Sequence, residues 1–129
     1  RIEGTDHNFV SWLIEQLQTG NSVRVADDQF TTPAYLEDFS HILWKLVRKG
    51  LSGIYHYGTS DRLSRYEMTL HVCQAMDFPD GLVSPVKTSD LDFIAKRPLE
   101  SGFITDKVHE ILNMPPISFN NALLRMIET

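Results

Sequence analysis

Apolar residues recur along most of this chain at the three- and four-residue spacing of amphipathic helices. Asn8, or Asp6 just before it, can cap a first helix, and Gly20 is placed to stop it. A second helix is predicted to open at Thr32-Pro33, because proline is tolerated in the first helical turn. The predicted inward face of this second helix consists of six apolar residues: Leu36, Phe39, Ile42, Leu43, Leu46 and Val47.

Three more helices are expected in the second half of the chain. Ser64 and Glu67 fit a Ser-x-x-Glu capping box, so a third helix should start at Tyr66 or one residue earlier. Asp106 can cap a short helix over residues 107–114. A final helix is expected after the double proline that breaks this one.

Short runs of β-branched and aromatic residues predict strands at residues 23–26, 53–57 and 83–86, with a short fourth strand at Phe103-Ile104. Together with the helices, these strands indicate an α/β fold with few short strands and about five helices. So few strands more naturally extend a sheet that another segment supplies. We therefore expect residues 1–129 to be a single domain that forms part of something larger.

The composition narrows the functional class. The 129 residues, 42% of them hydrophobic, suit one compact domain. A net charge of −5 and a pI near 5.4 disfavour binding to nucleic acid or to an anionic membrane. No apolar run approaches the length of a membrane span. Cys73, the single cysteine, permits no internal disulfide, which favours a reducing compartment and a cytoplasmic location.

Two polar residues, Asp28 and Gln29, follow directly after the predicted strand at 23–26. Ligands of open α/β sheets bind at the carboxyl ends of strands, so both residues are candidate ligand contacts. The alternative is that they only tie down the turn, while Thr32 caps the next helix. Asp27 and Asp28 are neighbours at the end of a strand and should point to opposite faces, so they should not share one substrate atom.

Other polar groups are expected to be structural. His56 lies within a predicted strand, and we expect it to satisfy a buried hydrogen bond rather than to catalyse a reaction. His71 and Cys73 have half of a metal-ligand spacing, but no second pair accompanies them. Cys73 is therefore expected to be a packed, inert thiol. The sequence contains no Gly-x-Ser-x-Gly elbow, no His-Glu-x-x-His pair and no phosphate-cradling loop.

The stretch around Asp28-Gln29, Pro33 and Asp38 resembles a motif of one family. In dTDP-4-dehydrorhamnose reductases and their relatives among the extended short-chain dehydrogenases, a strand precedes Asp-Gln-x-Gly-x-Pro-Thr and a helix that carries Asp. This chain departs from that motif at two positions. Thr31 stands where the family usually has glycine, and Ala34 stands where it usually has threonine.

Two further stretches resemble the same family in the same order. Residues 53–58 followed by 64–68 are similar to the family's Gly-x-Tyr/Phe-His strand and its Ser/Thr-x-Tyr-Glu helix start. Lys96-Arg97-Pro98 is similar to the Lys-Arg-Pro loop before the penultimate helix, although Ile104 replaces the usual aspartate beyond it. The resemblance covers about residues 8–127.

The resemblance implies an enzyme of two parts. An N-terminal Rossmann part binds NADPH or NADH, and a C-terminal part, which this chain resembles, binds a nucleotide-sugar. The Gly-rich turn of the Rossmann part is absent here, and no tyrosine is followed by lysine at the Tyr-x-x-x-Lys spacing used for reduction. Arg1-Ile2-Glu3 would correspond to the tail of the sixth Rossmann strand. On the resemblance, this chain holds no cofactor-binding, metal-binding or catalytic residue, and its expected partner is the missing N-terminal Rossmann half.

The resemblance also implies roles for particular residues. Gln29 and Arg97 are expected to contact a dTDP-sugar, with Asp28 ordering the turn. Arg97 suits a diphosphate, because a guanidinium can bind two phosphate oxygens at once and stays charged; the alternative is an ordinary solvated charge. Tyr66 is either a residue that stacks on the ligand or donates to it, or a packing anchor.

Other roles remain open. The family includes a regulatory subunit of methionine adenosyltransferase, which acts by binding a catalytic partner. Thr31, Ala34 and Ile104 depart from the enzyme motifs as they would in such a non-catalytic interaction module. Relatives often form dimers, so a homodimer is a further expectation, although no residue singles out an interface. A stand-alone domain with so few strands would expose apolar surface and oligomerise.

Overall fold

The computed structural model describes residues 8–128. The candidate cap Asp6 and the segment Arg1-Ile2-Glu3 lie outside the described residues. The chain divides into two compact units, each assembled from two stretches of sequence. Unit 1 comprises Arg1–Gln29 and Ser64–Leu99, and unit 2 comprises Phe30–Leu63 and Glu100–Thr129.

Five helices are interspersed with four short strands along the described residues. Their order is α1 (Phe9–Gln18), β1 (Val23–Ala26), β2 (Phe30–Thr31), α2 (Leu36–Arg48), β3 (Leu63–Ser64), α3 (Arg65–Met76), β4 (Val83–Val86), α4 (Asp106–Leu112) and α5 (Phe119–Glu128). β1 pairs with β4, and β2 pairs with β3, in two small sheets. The predicted α/β class with about five helices and few short strands is confirmed. Within residues 8–128, no helix has both the length and the apolarity needed to cross a bilayer.

Unit 1 is built on two parallel strands. Residues Val23 and Val83 lie opposite each other at one end of the β1–β4 pair, and Ala26 lies opposite Val86 at the other. Both α1 and α3 pack against β1 and against each other. Buried residues of this unit include Leu13, Leu17, Val25, Val72 and Cys73. The carboxyl ends of β1 and β4 therefore meet at one edge, which positions the residues that follow each strand.

Unit 2 has a small core in which α2 meets α4. Ile42 of α2 packs with Val108 and Leu112 of α4, and all three side chains are buried. Tyr55 and Tyr57, from the segment that follows α2, are half-buried against the same cluster. These contacts fix one side of α2 and one side of residues 55–57.

The predicted helix starts in unit 1 are confirmed. The Asn8 side chain accepts a 3.0 Å hydrogen bond from a backbone N–H in the first turn of α1. Ser64 and Glu67 form the predicted capping box, with hydrogen bonds of 3.1 and 2.7 Å, and α3 begins at Arg65. Gly20 follows α1 with φ +75°, the left-handed conformation that glycine adopts without strain.

Two helices of unit 2 differ from their predicted bounds. α2 begins at Leu36 rather than at Thr32-Pro33. Thr32 does not cap it, because the Thr32 hydroxyl accepts a 3.0 Å hydrogen bond from the Phe103 backbone instead. Asp106 is the first residue of α4 rather than its cap. α4 ends at Leu112, two residues before the predicted end, and Asn113 follows it in a left-handed conformation, φ 50°.

The strand predictions are partly confirmed. The strands at residues 23–26 and 83–86 are present as predicted. The predictions for 53–57 and 103–104 are wrong, because both segments are irregular in the structure. β2 and β3 were not expected from the sequence, since a strand of two residues leaves no periodic pattern.

Most side chains on the predicted inward face of α2 are exposed. Ile42 is only 3% exposed and Leu46 is half-buried, in agreement with the prediction. Leu36, Leu43 and Val47 are instead 75%, 50% and 63% exposed. Unit 2 therefore covers only part of the apolar circumference of α2.

Candidate functional site

Unit 1 contains a pocket of about 400 Å³ beside the end of β1. Gln29 and Arg97, which belong to two different sequence motifs, both line it. The structure thus brings together two of the four residues that the resemblance implicates in ligand binding. Their roles as ligand contacts stay predictions.

The pocket is rich in guanidinium groups. Arg24 and Arg65 line it in addition to Arg97, whereas Asp92 is the acidic residue of the lining. Within residues 8–128, none of these three arginines forms an ion pair. Burial lowers the pKa of Arg65, and the neighbouring charge of Arg97 lowers it further. Two neighbouring guanidinium groups form a site at which a bound anion would be stabilised.

Aromatic rings accompany the guanidinium groups. The Arg65 guanidinium lies 4.7 Å from the centre of the Phe9 ring, and that of Arg97 lies 5.6 Å from the centre of the Phe93 ring. Phe9 and Trp12 are tilted neighbours with ring centres 6.1 Å apart. The cation–π contacts hold the guanidinium groups beside apolar surface. The pocket can therefore receive a ligand that has both an anionic and a flat, apolar part.

The turn after β1 is held by Thr88, which follows β4. Asp28 accepts two hydrogen bonds from Thr88, 2.9 Å from its backbone N–H and 2.5 Å from its hydroxyl. The Gln29 side-chain amide donates to the same hydroxyl at 3.1 Å. The hydroxyl of Thr88 is the largest cause of a lowered Asp28 pKa. These bonds fix the Gln29 side chain at the pocket.

Asp27 and Asp28 contact different partners. Lys87 donates to Asp27 at 2.9 Å, whereas Asp28 contacts Thr88. The expectation that these two carboxylates do not converge on one atom is thereby met. Asp28 does not line the pocket. Its hydrogen bonds to Thr88 hold the turn that carries Gln29, which does line the pocket.

Tyr66 lies in the first turn of α3, where it is half-buried and does not line the pocket. The preceding residue, Arg65, does line it. Sequence reasoning selected Tyr66 and missed Arg65, although both belong to the same Ser-Arg-Tyr-Glu helix start. Thr88 was missed as well, and its signal is its place directly beyond the strand that ends beside β1.

The structure also shows the burial and the contacts of two residues outside the pocket, His56 and Cys73. His56 is exposed and stacks on Phe103 at 4.7 Å between ring centres, so the expected buried hydrogen bond is wrong. Cys73 is 1% exposed, and burial raises the pKa of its thiol, as expected of a packed cysteine. In the described part of the chain, no group of His, Cys, Asp or Glu residues is arranged to hold a metal.

Comparisons with known proteins agree with this architecture. A family model described as the RmlD substrate binding domain matches residues 3–129. The crystal structure of dTDP-4-dehydrorhamnose reductase from Bacillus anthracis, in complex with NADP, superposes with a TM-score of 0.85 and 26% identity. It covers 95% of this chain, and this chain covers 44% of it.

Curated relatives extend the comparison. The methionine adenosyltransferase 2 subunit beta of Danio rerio is 23% identical over 129 residues, which are 95% of this chain and 40% of that protein. The dTDP-4-dehydrorhamnose reductase of Aggregatibacter actinomycetemcomitans is 25% identical over 91% of this chain and 44% of its own length. This chain therefore spans less than half the length of these relatives.

The fold and these similarities place the chain among substrate-binding domains. Within that class it belongs to the RmlD substrate binding domain family, whose model matches nearly all of its residues.

Proposed function

We propose that this chain is the nucleotide-sugar-binding part of an NAD(P)H-dependent reductase similar to dTDP-4-dehydrorhamnose reductase. The observation that carries the proposal is the convergence of Gln29 and Arg97 on one pocket of unit 1. Their sequence motifs are far apart in the chain, and each resembles a motif of the reductases. The whole reductase would transfer a hydride to the 4-keto group of a deoxythymidine-diphosphate sugar.

The chemistry of the pocket suits such a ligand. Arg65 and Arg97 offer a diphosphate two guanidinium groups that lack an ion-pair partner among residues 8–128. The rings of Phe9 and Trp12 offer apolar surface against which a base can stack. The amide of Gln29 can donate to or accept from a polar edge of the ligand. Asp28 takes no part in binding except by ordering the turn.

The cofactor belongs to the rest of the reductase in this proposal. The solved reductase from Bacillus anthracis was crystallised in complex with NADP, which favours NADPH over NADH for the parent enzyme. This chain has neither the Gly-rich turn nor the Tyr-x-x-x-Lys pair. We therefore expect the 129-residue chain alone to bind the nucleotide-sugar without reducing it.

Binding of deoxythymidine diphosphate tests the proposal. Trp12 lines the pocket, so its fluorescence in a Trp44→Phe background should change as the nucleotide is added. We expect Arg97→Gln to weaken binding about 10- to 100-fold, the effect of losing hydrogen bonds to a charged group. Arg48→Gln, which changes an exposed arginine of α2, is the matched control and should bind normally. Absence of saturable binding by the unmodified chain would overturn the proposal.

A second candidate function is partner binding without catalysis. The similarity to methionine adenosyltransferase 2 subunit beta over 95% of this chain favours it. In that case the chain would associate with a methionine adenosyltransferase catalytic subunit and would not bind deoxythymidine diphosphate. Sedimentation velocity of the two proteins mixed, alongside the fluorescence titration, distinguishes the two functions.

A further inference from the structure

The pocket of unit 1 contains a carboxylate to which the proposed function gives no role. Asp92 lines the pocket together with Arg24, Arg65 and Arg97. Opposite charges attract, yet within residues 8–128 the Asp92 carboxylate forms an ion pair with none of these arginines. An ion pair would be the simplest structural role for an acid among cations. Its absence leaves the carboxylate available to a ligand.

The backbone around Asp92 is held in place. Asp92 is the middle residue of a tight three-residue turn, in which the Phe93 N–H donates to the Leu91 carbonyl at 3.0 Å. Leu91 and Phe93 also line the pocket. Just before this turn, the Arg24 guanidinium of β1 donates to the Asp90 carbonyl at 3.2 Å. These hydrogen bonds tie the segment to β1 and keep Asp92 beside the pocket.

The groups of the pocket contact one another in a definite order. The Arg65 guanidinium lies on the Phe9 ring at 4.7 Å, and Arg97 is the charge that neighbours Arg65. The Arg97 guanidinium lies 5.6 Å from the centre of the Phe93 ring, and Asp92 precedes Phe93 in the chain. A diphosphate bound by both guanidinium groups would therefore have the Phe9 ring beside one of them and the Asp92 turn beside the other.

An ionised carboxylate only accepts hydrogen bonds, so it repels phosphate oxygens and attracts hydroxyl donors. In a nucleotide-sugar, a hydroxyl-bearing sugar is attached at each end of the diphosphate. We propose that Asp92 is a specificity-determining residue that accepts hydrogen bonds from sugar hydroxyl groups of the bound nucleotide-sugar. This inference rests on the proposed function and deepens it, because it names the part of the ligand that the 91–93 turn recognises. A site built to bond a ligand hydroxyl discriminates against analogues that lack it.

Calorimetric titration with four ligands tests the proposal: inorganic diphosphate, 3′-deoxythymidine diphosphate, deoxythymidine diphosphate and deoxythymidine-diphosphate glucose. Inorganic diphosphate has no sugar, the 3′-deoxy analogue lacks the deoxyribose hydroxyl, and the glucose derivative adds hexose hydroxyls. We expect Asp92→Ala to weaken binding of the glucose derivative about 10- to 100-fold, the effect of losing hydrogen bonds to a charged group. Binding of inorganic diphosphate should not weaken, because the variant removes a like charge.

The other two ligands distinguish the two sugars. A loss confined to the glucose derivative would support the proposal and assign the hexose hydroxyls. A loss shared by deoxythymidine diphosphate, but not by its 3′-deoxy analogue, would support the proposal and assign the deoxyribose hydroxyl. A loss that all three nucleotides share would overturn it, because the hydroxyls would then make no difference.

Matched variants separate hydrogen bonding from charge. Asp92→Asn keeps a carbonyl acceptor without the charge, so it should retain part of the binding that Asp92→Ala loses. Asp80 is an exposed acid of unit 1 that does not line the pocket, and Asp80→Asn should bind all four ligands normally. Tighter binding of every ligand by Asp92→Ala would show that Asp92 only offsets the arginine charges, and would overturn the proposal.

Failure of this proposal is distinguishable from failure of the proposed function. If the unmodified chain binds none of the four ligands, the proposed function is wrong and the role of Asp92 falls with it. If the unmodified chain binds deoxythymidine-diphosphate glucose and Asp92→Ala binds it equally well, the proposed function stands and the role of Asp92 alone is overturned.

Discussion

A single carboxylate oxygen of Asp28 accepts hydrogen bonds from both the backbone and the hydroxyl of Thr88, at 2.9 and 2.5 Å. These two residues follow β1 and β4, the parallel strands of unit 1. The two hydrogen bonds connect the segments that follow the two strands. The Gln29 side-chain amide donates to the same Thr88 hydroxyl. The turn that presents Gln29 to the pocket is thus fixed by a residue 60 positions away.

The lowered pKa of Asp28 predicts an acid-dependent loss of stability. Because the folded state binds this proton less tightly than the unfolded state, the stabilisation is complete above the ordinary carboxyl pKa of 3.8. It should be lost as the pH falls below that value and through the lowered folded pKa. Urea unfolding between pH 6 and pH 2 should therefore give a shallower pH dependence for Asp28→Asn than for the unmodified chain.

Thr88→Val should reproduce that change, because it removes the hydroxyl that contributes most to the lowered pKa. NMR titration of the Asp28 carboxyl should give a higher pKa in Thr88→Val, and Thr88→Ser should restore the original value. A pKa that is the same in all three proteins would contradict the assigned cause. The double variant Asp28→Asn/Thr88→Val should cost less stability than the two single changes added together.

Gly58 is a position in unit 2 where an added methyl group should be harmful. A Cβ built there would lie 2.5 Å from the Thr32 side chain and 3.0 Å from the Pro33 carbonyl. We expect Gly58→Ala to reduce the free energy of unfolding by about 1–3 kcal/mol, the usual cost of overpacking. Gly81→Ala is the control, since nothing lies within 4 Å of its Cβ. Urea unfolding that gives equal stability for the two variants would refute the predicted clash.

Removing the capping box should loosen Arg65 together with α3. Ser64 is 2% exposed and its hydroxyl accepts the Glu67 backbone N–H, so Ser64→Ala should cost about 1 kcal/mol. Because Arg65 is the first residue of α3, affinity for deoxythymidine diphosphate should fall as well. Ser40→Ala, at an exposed position of α2, should change neither quantity. Calorimetric titration with the nucleotide measures the affinity, and an unchanged affinity in Ser64→Ala would argue that Arg65 is held by other contacts.

Cys73 should react with thiol reagents only when unit 1 opens. Its side chain is 1% exposed and its pKa is raised by burial, so little thiolate is present and little of it is accessible. Labelling with a disulfide reagent at pH 8 should be slow in buffer and fast in denaturing urea. Rapid labelling of the native chain would contradict the packing of α3 against β1.

Features that depend on near neighbours could be predicted from the sequence. The helix caps at Asn8 and Ser64 were predicted because a capping side chain accepts a hydrogen bond from the backbone N–H three residues later. This short spacing favours particular residue types, which can be recognised in the sequence. The pairing of Gln29 with Arg97 in one pocket was reached only through the family resemblance. The only sequence signal of Thr88 is its place after a strand, since its contact with Asp28 depends on which strands become neighbours.

The errors in unit 2 have one physical source. The apolar periodicity of α2 predicted an inward face, and the pattern of residues 53–57 predicted a strand with one covered side. The sequence does not say which segment covers them, and within the described residues no segment does so fully. Leu43 and Ile54 therefore lie outside the core although their pattern is that of core residues.

The pairing of β1 with β4 also has a consequence for synthesis. The two parts of unit 1 lie before and after residues 30–63, which belong to unit 2. The two parts of unit 2 likewise lie before and after residues 64–99, which belong to unit 1. Because β1 can meet β4 only after Val86 has left the ribosome, neither unit can be completed early in translation. Cutting the chain at any one point inside residues 30–99 would leave at least one unit divided between two fragments.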